Sequence, residues 1–450
     1  MNIPFLQVNI NFPLKIEDSK MKVRKIREGA LKEKNYFSYA LLTFLVGYMT
    51  YIYSSFSLIT GIQYTENSLE IFYLIISVLV ALFYLKNIYT KKITKYELIV
   101  LYLVLLIICG FLVSHAIYGF HNGAFTTFKL FLVRSVPAII VGIILAKDKA
   151  IGHVIAFTDI YILFTTLALL TILLNGLLPG VSRTEVFSIF GMSAQSISYM
   201  AVYAFGLNSY MILYGKDHIK KSIFNNRIYN YIRISLIPLQ LITVFFGGGR
   251  GAFILLIVFS IYLLFFAISS EIKVGKFIKR IFLVSSLITV AILFLSNFFP
   301  NLFNQSFERM TGFISSGTIN WDQTSGRDDV YFKIFDLIFS SPIIGYGIAG
   351  AMYKENLTAH NFFLEVMVEG GLIYLTLWII ILYKFLTKLL YLIKIDSKYH
   401  LVMIMFLSEF INMQFSAVYL RTTIFWFCLV FVFCVHYSYK KHELVSLKKV

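Results

Sequence analysis

The sequence predicts an all-α, polytopic membrane protein of about twelve transmembrane helices, with a long external loop containing an amphipathic helix. Three observations carry this prediction. Only 14% of the residues are charged, against about 25% in soluble domains. Hydrophobic residues make up 58% of the chain, and they gather in runs of about 20 residues, the length a helix needs to cross about 30 Å of hydrocarbon. Lysines and arginines cluster in every second connection between those runs.

The runs predict spans at 36–60, 68–88, 97–119, 126–146, 152–178, 195–214, 229–247, 251–269, 280–298, 370–393, 400–416 and 418–437. The basic N-terminal segment 1–35 includes Lys20, Lys22, Arg24, Lys25 and Arg27 and shows no cleavable signal pattern, so the first span is expected to stay as an anchor. Further basic clusters follow at Lys86–Lys95, Lys147–Lys149, Lys216–Arg227, Lys273–Arg280, Lys394–Lys398 and the tail 438–450. The positive-inside rule puts both termini in the cytoplasm, and an even number of crossings agrees. The expected organisation is spans at 36–298, an external loop at 299–369 and further spans at 370–437.

That loop is too polar to cross a membrane and too long for a plain turn, and long structured loops are usually functional. Within it, Asp328–Ser340 spaces its apolar residues as an amphipathic helix, with Ser325 as N-cap and Pro342 beyond its end. Such a helix suits a membrane surface. The net charge of +17 sits in the short clusters between spans, which points to membrane topology and anionic lipid rather than to nucleic acid. Cys109, Cys428 and Cys434 all lie inside apolar runs, without disulfide or zinc spacing.

Arginine is disfavoured on the external side by topology, so Arg183, Arg250, Arg309, Arg327 and Arg421 call for a reason. A lone interfacial arginine commonly snorkels to headgroups. Arg250, however, stands in Gly247-Gly248-Gly249-Arg250-Gly251 between two spans. A glycine-rich turn lets backbone N–H groups approach an anion, and a guanidinium donates two parallel bonds to phosphate. With Arg327 opening the amphipathic helix, these residues suit a pyrophosphate at the membrane surface. A second group, His360-Asn361 with Glu365 and then Glu369-Gly370-Gly371, precedes the tenth span. A histidine there can take a proton near neutral pH, with Glu365 to orient it or share the work. Gly345-Tyr346-Gly347 offers a turn that folds the loop back over the site.

Charges within spans form a third group: Lys129 and Arg134, Asp159, and Glu409. Arg134 and Asp159 fall at similar depths, which predicts a structural ion pair. Glu409 is expected to contact substrate or to act as a protonated interhelical donor.

In these motifs the sequence resembles the O-antigen ligase and polymerase superfamily, that is, Wzy-type polymerases and related ligases. The resemblance rests on Gly249-Arg250-Gly251-Ala252 opening a span, and on a long external loop that runs from Arg327 through Gly345-Tyr346-Gly347 to His360-Asn361 and Glu369-Gly370-Gly371. The first 180 residues match only as hydrophobic spans. Gly249 stands where many members carry serine. An Asn-Pro-Asn-like segment before the middle spans is replaced by Ser193, Gln195, Ser196 and Ser198.

The resemblance implies glycosyl transfer from an undecaprenyl-pyrophosphate donor, with no cofactor, no nucleotide sugar and no required metal. It implies leaving-group stabilisation by Arg250 and Arg327, with Arg183 and Arg421 in support. His360 would act as base or acceptor orienter, assisted by Asn361 and Glu365, with Gly249, Gly251 and Glu369 in substrate binding. The expected partners are an undecaprenyl-pyrophosphate-linked oligosaccharide, membrane lipids and a chain-length regulator, in a bacterial plasma membrane. Ligase and polymerase would use the same groups. The Lys-, Ile-, Phe- and Tyr-rich composition hints at an AT-rich genome and favours a capsule-type polymerase. A flippase would show repeated halves and midplane sites, and neither pattern is visible.

Overall fold

In the computed structural model, helices stand at the expected spans that the structure describes; most of the expected span 280–298 and the expected N-cap Ser325 lie outside the described residues. The structure describes residues 66–90, 93–147, 151–176, 193–218, 227–269, 300–311 and 327–447, with scattered positions between 282 and 319. The expected span 36–60 and Arg183 lie outside the described residues.

The helices are α1 (Glu66–Thr90), α2 (Lys95–Tyr118), α3 (Asn122–Leu130), α4 (Val136–Lys147), α5 (Ile151–Gly176), α6 (Ala194–His218), α7 (Arg227–Gly247) and α8 (Arg250–Ser269). They continue with α9 (Pro300–Thr311), α10 (Arg327–Ser340), α11 (Gly350–Glu355), α12 (Phe362–Ile395), α13 (His400–Asn412) and α14 (Thr423–Leu447). A two-residue antiparallel pair, Ile314–Ser315 with Thr318–Ile319, follows α9.

Among the described residues, five helical stretches are long and apolar enough to cross a membrane: Lys95–Tyr118, Asn122–Lys147, Ile228–Gly247, Phe362–Ile395 and Thr423–Lys440. The first shows how such a helix meets lipid. Thr94 caps it, accepting from the Glu97 backbone and donating to the Glu97 carboxylate at 2.8 Å. Leu98, Tyr102, Leu105, Leu112 and Val113 are exposed along it, while Val104, Ile107 and Phe111 pack inward. At its end, Glu97 pairs with Lys147 at 2.7 Å, tying α2 to α4.

The core is a bundle in which α6 packs against α5, α7, α8 and α13, while α14 packs against α4, α12 and α13. α3 and α4 form one continuous span through a single π-helical turn, Phe131–Ser135. Such turns leave backbone carbonyls without regular partners. Here Ser77 of α1 donates to the Val133 carbonyl at 2.8 Å.

The predicted pair of Arg134 with Asp159 does not form. Asp159 accepts two bonds from Arg233 of α7, from Nε at 3.1 Å and from the terminal nitrogen at 2.7 Å. Arg134 instead lies over the Tyr73 ring at 4.4 Å. Depth along a span does not give the direction in which each side chain faces.

The predicted amphipathic helix is α10. Its Ile334, Leu337 and Ile338 pack on Val368 of α12, while Phe332 and Phe339 stay 69% and 78% exposed on the other side.

The most consequential element is α12. The expected span starts at residue 370, yet the helix starts at Phe362 and breaks at Gly370 and Gly371, the latter at φ 59°. A continuous helix would bond the amides of residues 372 and 373 to the carbonyls of 368 and 369. The segment Pro342–Gly347 intercepts both bonds. Tyr346 and Gly347 donate to the Val368 and Glu369 carbonyls at 2.8 and 2.7 Å, and Leu372 and Ile373 donate to the Pro342 and Ile343 carbonyls at 2.8 and 3.4 Å. A Cβ on Gly345 would stand 2.5 Å from the Val368 carbonyl oxygen, so only glycine admits this approach. The Gly-x-Gly turn is thus docked into a broken helix.

Candidate active site at the start of α12

Three segments converge where α12 begins: the loop 356–361, the turn 413–422 between α13 and α14, and the glycine turn 247–251. Phe362 donates its amide to the Met413 carbonyl at 3.0 Å, joining the first two. Asn361 caps α12, accepting from the amides of Phe363 and Leu364 at 3.0 and 3.2 Å. This cap role explains Asn361 without invoking substrate.

His360 sits just outside that cap at φ 49°. Among the described residues, the non-glycine positions with positive φ are Ala349, Asn356 and His360, all in this one region. Such backbone persists only where surrounding contacts hold it. His360 Nδ1 lies 3.0 Å from the Ser416 carbonyl oxygen. A carbonyl only accepts, so Nδ1 carries the hydrogen, and Nε2 is the basic nitrogen. Nε2 accepts from the Thr358 hydroxyl at 2.8 Å. Burial lowers the His360 pKa below its ordinary 6.5; the Ser416 bond opposes this in part, and the nearby positive charges of Arg327 and Arg421 add smaller lowering effects. The ring is therefore neutral at pH 7. Glu365, expected to orient His360, does not hold its ring, a role taken by Ser416 and Thr358.

The glycine turn reaches the same place. Gly249 donates to the Ser198 hydroxyl at 3.2 Å. A Cβ on Gly251 would collide with the Tyr199 hydroxyl and lie 2.8 Å from the Phe415 ring. Phe415 precedes Ser416, whose hydroxyl accepts from Gln195. Arg250, half-buried, opens α8 at this turn. Arg327 opens α10 and acts electrostatically on both Tyr199 and His360.

On the other side of His360, a small cavity is lined by Thr127, Thr358, Glu365, Glu369, Met352 and Leu420, among others. Glu369 is held at both oxygens. Oε1 accepts from the Ala349 amide at 2.9 Å, and Oε2 accepts from the Tyr419 hydroxyl at 2.5 Å. Glu365 is buried, and its Oε2 has no hydrogen-bond partner among the described residues. Arg421 donates from Nε to the Thr127 hydroxyl at 3.1 Å, and a terminal nitrogen reaches the same oxygen.

Arg250, Arg327, His360, Glu365 and Glu369 all fall within residues 234–379, which match the family model described as O-antigen ligase. That stretch, short of half of the chain, is similar to the O-antigen ligase family. No curated protein and no solved structure matches it. The match points to an O-antigen ligase or polymerase type of function.

The structure brings His360, Asn361, Arg327, Arg421 and the Gly249–Gly251 turn into one region. Arg309 lies on α9. Sequence reasoning missed Thr358, Ser416, Tyr419, Tyr199 and Ser198. Thr358 carries a faint local signal, a hydroxyl two residues before the histidine. Ser416 and Tyr419 come from the turn 413–422 and Tyr199 and Ser198 from α6, the last named in the sequence only as part of the segment that replaces the Asn-Pro-Asn-like motif; their place at the site is set by packing.

Proposed function

We propose that the protein is a polysaccharide polymerase, of the capsule, O-antigen or exopolysaccharide kind. It transfers a glycan from undecaprenyl pyrophosphate to a hydroxyl of a lipid-linked repeat unit. The reaction takes place at the external face of a bacterial plasma membrane, with both termini cytoplasmic. The observation that carries this reading is His360: a neutral imidazole with its basic Nε2 facing the Thr358 hydroxyl and with two guanidiniums nearby.

The chemistry follows from those groups. An acceptor hydroxyl takes the place of Thr358 at Nε2 and gives up its proton there as its oxygen attacks C1 of the donor sugar. The C1–oxygen bond to pyrophosphate breaks, and the electron pair leaves with the lipid pyrophosphate. Arg250, Arg327 and Arg421 stabilise that developing charge, and Arg183 is assigned to the same task. The turn amides near Gly249 and Gly251 add to the field. Glu365 and Glu369 line the acceptor side. No metal or cofactor is assigned a role. The exposed phenylalanines of α10 suit a helix resting on the membrane surface, and a chain-length regulator is the expected protein partner.

A ligase that moves finished glycan to a different acceptor would use the same residues. The deciding experiment is gel analysis of surface and lipid-linked glycan from cells carrying Arg250→Ala or His360→Ala, with expression confirmed. Loss of long chains, with single repeat units still exported, supports polymerisation. Wild-type chain lengths remove both residues from the site. Repeat units retained on the inner face would point to a flippase.

A further inference from the structure

The π-helical turn of the α3–α4 span displays an arginine that the proposed chemistry does not use. Arg134 rests on the Tyr73 ring at 4.4 Å, and no hydrogen bond among the described residues reaches its Nε, which is shielded from solvent. The turn that carries Arg134 is tied to the segment that carries Arg421, since Ser135 donates to the Leu420 carbonyl at 2.6 Å. Arg421 in turn reaches back to Thr127, seven residues before Arg134 on the same continuous span. The Ser135–Leu420 bond therefore joins the residues next to Arg134 and Arg421, and the two guanidiniums repel one another.

Two like charges are seldom held together away from water without a counter-charge. Glu365 is the carboxylate near Arg421. Glu369 is the second carboxylate of the cavity, and both of its oxygens are already held, by the Ala349 amide and the Tyr419 hydroxyl. Thr127 and Leu420, which hold these segments, also line the small cavity beside His360. A guanidinium laid flat on an aromatic ring keeps its N–H edge available for a two-pronged acceptor.

We propose that Arg134 and Arg421 together form an anion seat that takes a phosphoryl group of a lipid-linked substrate, with Thr127 orienting Arg421. The identification of the anion as a lipid phosphate rests on the function proposed above, whereas the seat itself rests on the geometry. Arg134 lies outside residues 234–379, so this seat would be contributed by a part of the chain that the family match does not cover. Arg134 thereby extends the set of cations that the function proposed above already draws on through Arg421.

The test uses the purified full chain in detergent and farnesyl pyrophosphate as the probe, with affinity measured by calorimetry. Farnesol, inorganic pyrophosphate and phosphatidylglycerol vesicles serve as comparison ligands. Arg134→Gln is expected to weaken farnesyl pyrophosphate binding about tenfold, the loss of one charge-assisted contact. Arg134→Lys, which keeps the charge but not the fork, is expected to fall between. Should Arg134→Gln fail to fold by thermal unfolding, Arg134→Lys decides alone. A parallel loss with inorganic pyrophosphate assigns the seat to phosphate itself. Competition by phosphatidylglycerol assigns it to lipid headgroups and overturns the substrate assignment. Unchanged affinity in a folded variant, or no binding by wild type, overturns the seat. These readouts need no glycan synthesis, so the seat can fail while the polymerase reading, tested by glycan length in the Arg250 and His360 variants, stands.

Discussion

The Tyr419 hydroxyl donates to Glu369 Oε2 at 2.5 Å, while the other oxygen of that carboxylate accepts from the Ala349 amide at 2.9 Å. One side chain thus joins the start of α12, the loop before α11 and the turn before α14. Tyr419→Phe removes the hydroxyl and leaves a buried acceptor without its donor. It is expected to lower stability by about 1–3 kcal/mol, read as an earlier thermal transition in detergent. An unchanged transition would mean that the bond is not formed in solution.

The His360 pKa lies below 6.5 because burial and two nearby cations oppose its charged form. Transfer that depends on neutral His360 should be level from pH 8 down through 6.5 and fall only at lower pH. Stability follows the same sign. Below 6.5 the unfolded chain takes up a proton that the folded chain refuses, so this contribution is present above 6.5 and is lost as pH falls toward the folded value. Initial transfer rates on purified lipid-linked repeat units, measured across pH, check this. A fall centred above 6.5 would contradict it.

Asp159 and Arg233 form a buried bidentate pair. Asp159→Ala alone leaves a guanidinium buried without its anion and should cost about 3–5 kcal/mol. Replacing both residues by apolar ones of similar volume should cost much less. Comparing the melting temperatures of the single and double variants tests the coupling, and equal losses would show that the two residues act independently.

Gly371 holds φ 59° at the break in α12, with the Ile343 backbone against it. Gly371→Ala places a Cβ into that backbone at a left-handed position, where conformation alone costs about 1–2 kcal/mol. Reduced accumulation of folded protein in membranes is the expected result. Gly152, whose Cβ would meet nothing within 4 Å, is the control, and its alanine variant should accumulate normally.

Much of this was legible in the sequence because hydrocarbon thickness fixes the length of a span. The Lys95–Tyr118 and Thr423–Lys440 stretches announce themselves by run length alone. His360-Asn361 and the Gly249–Gly251 turn were legible because rare polar motifs stand out between apolar runs. The bond of His360 to Ser416 was not, since it joins segments whose proximity depends on how helices rotate against one another. The Asp159 pairing failed for the same reason. Depth follows from counting residues, but azimuth follows from packing. The start of α12 at Phe362 was hidden because its break is repaired by another segment rather than by local sequence.

That repair limits how this region can open. Withdrawing Pro342–Gly347 from α12 would break four backbone hydrogen bonds at once, and α12 would have to straighten at Gly370 and Gly371 to pair its own two amides and two carbonyls again. The segment is a spliced section of a helix, not a lid. Any movement of the loop must therefore take the start of α12 with it, because the two are one spliced piece.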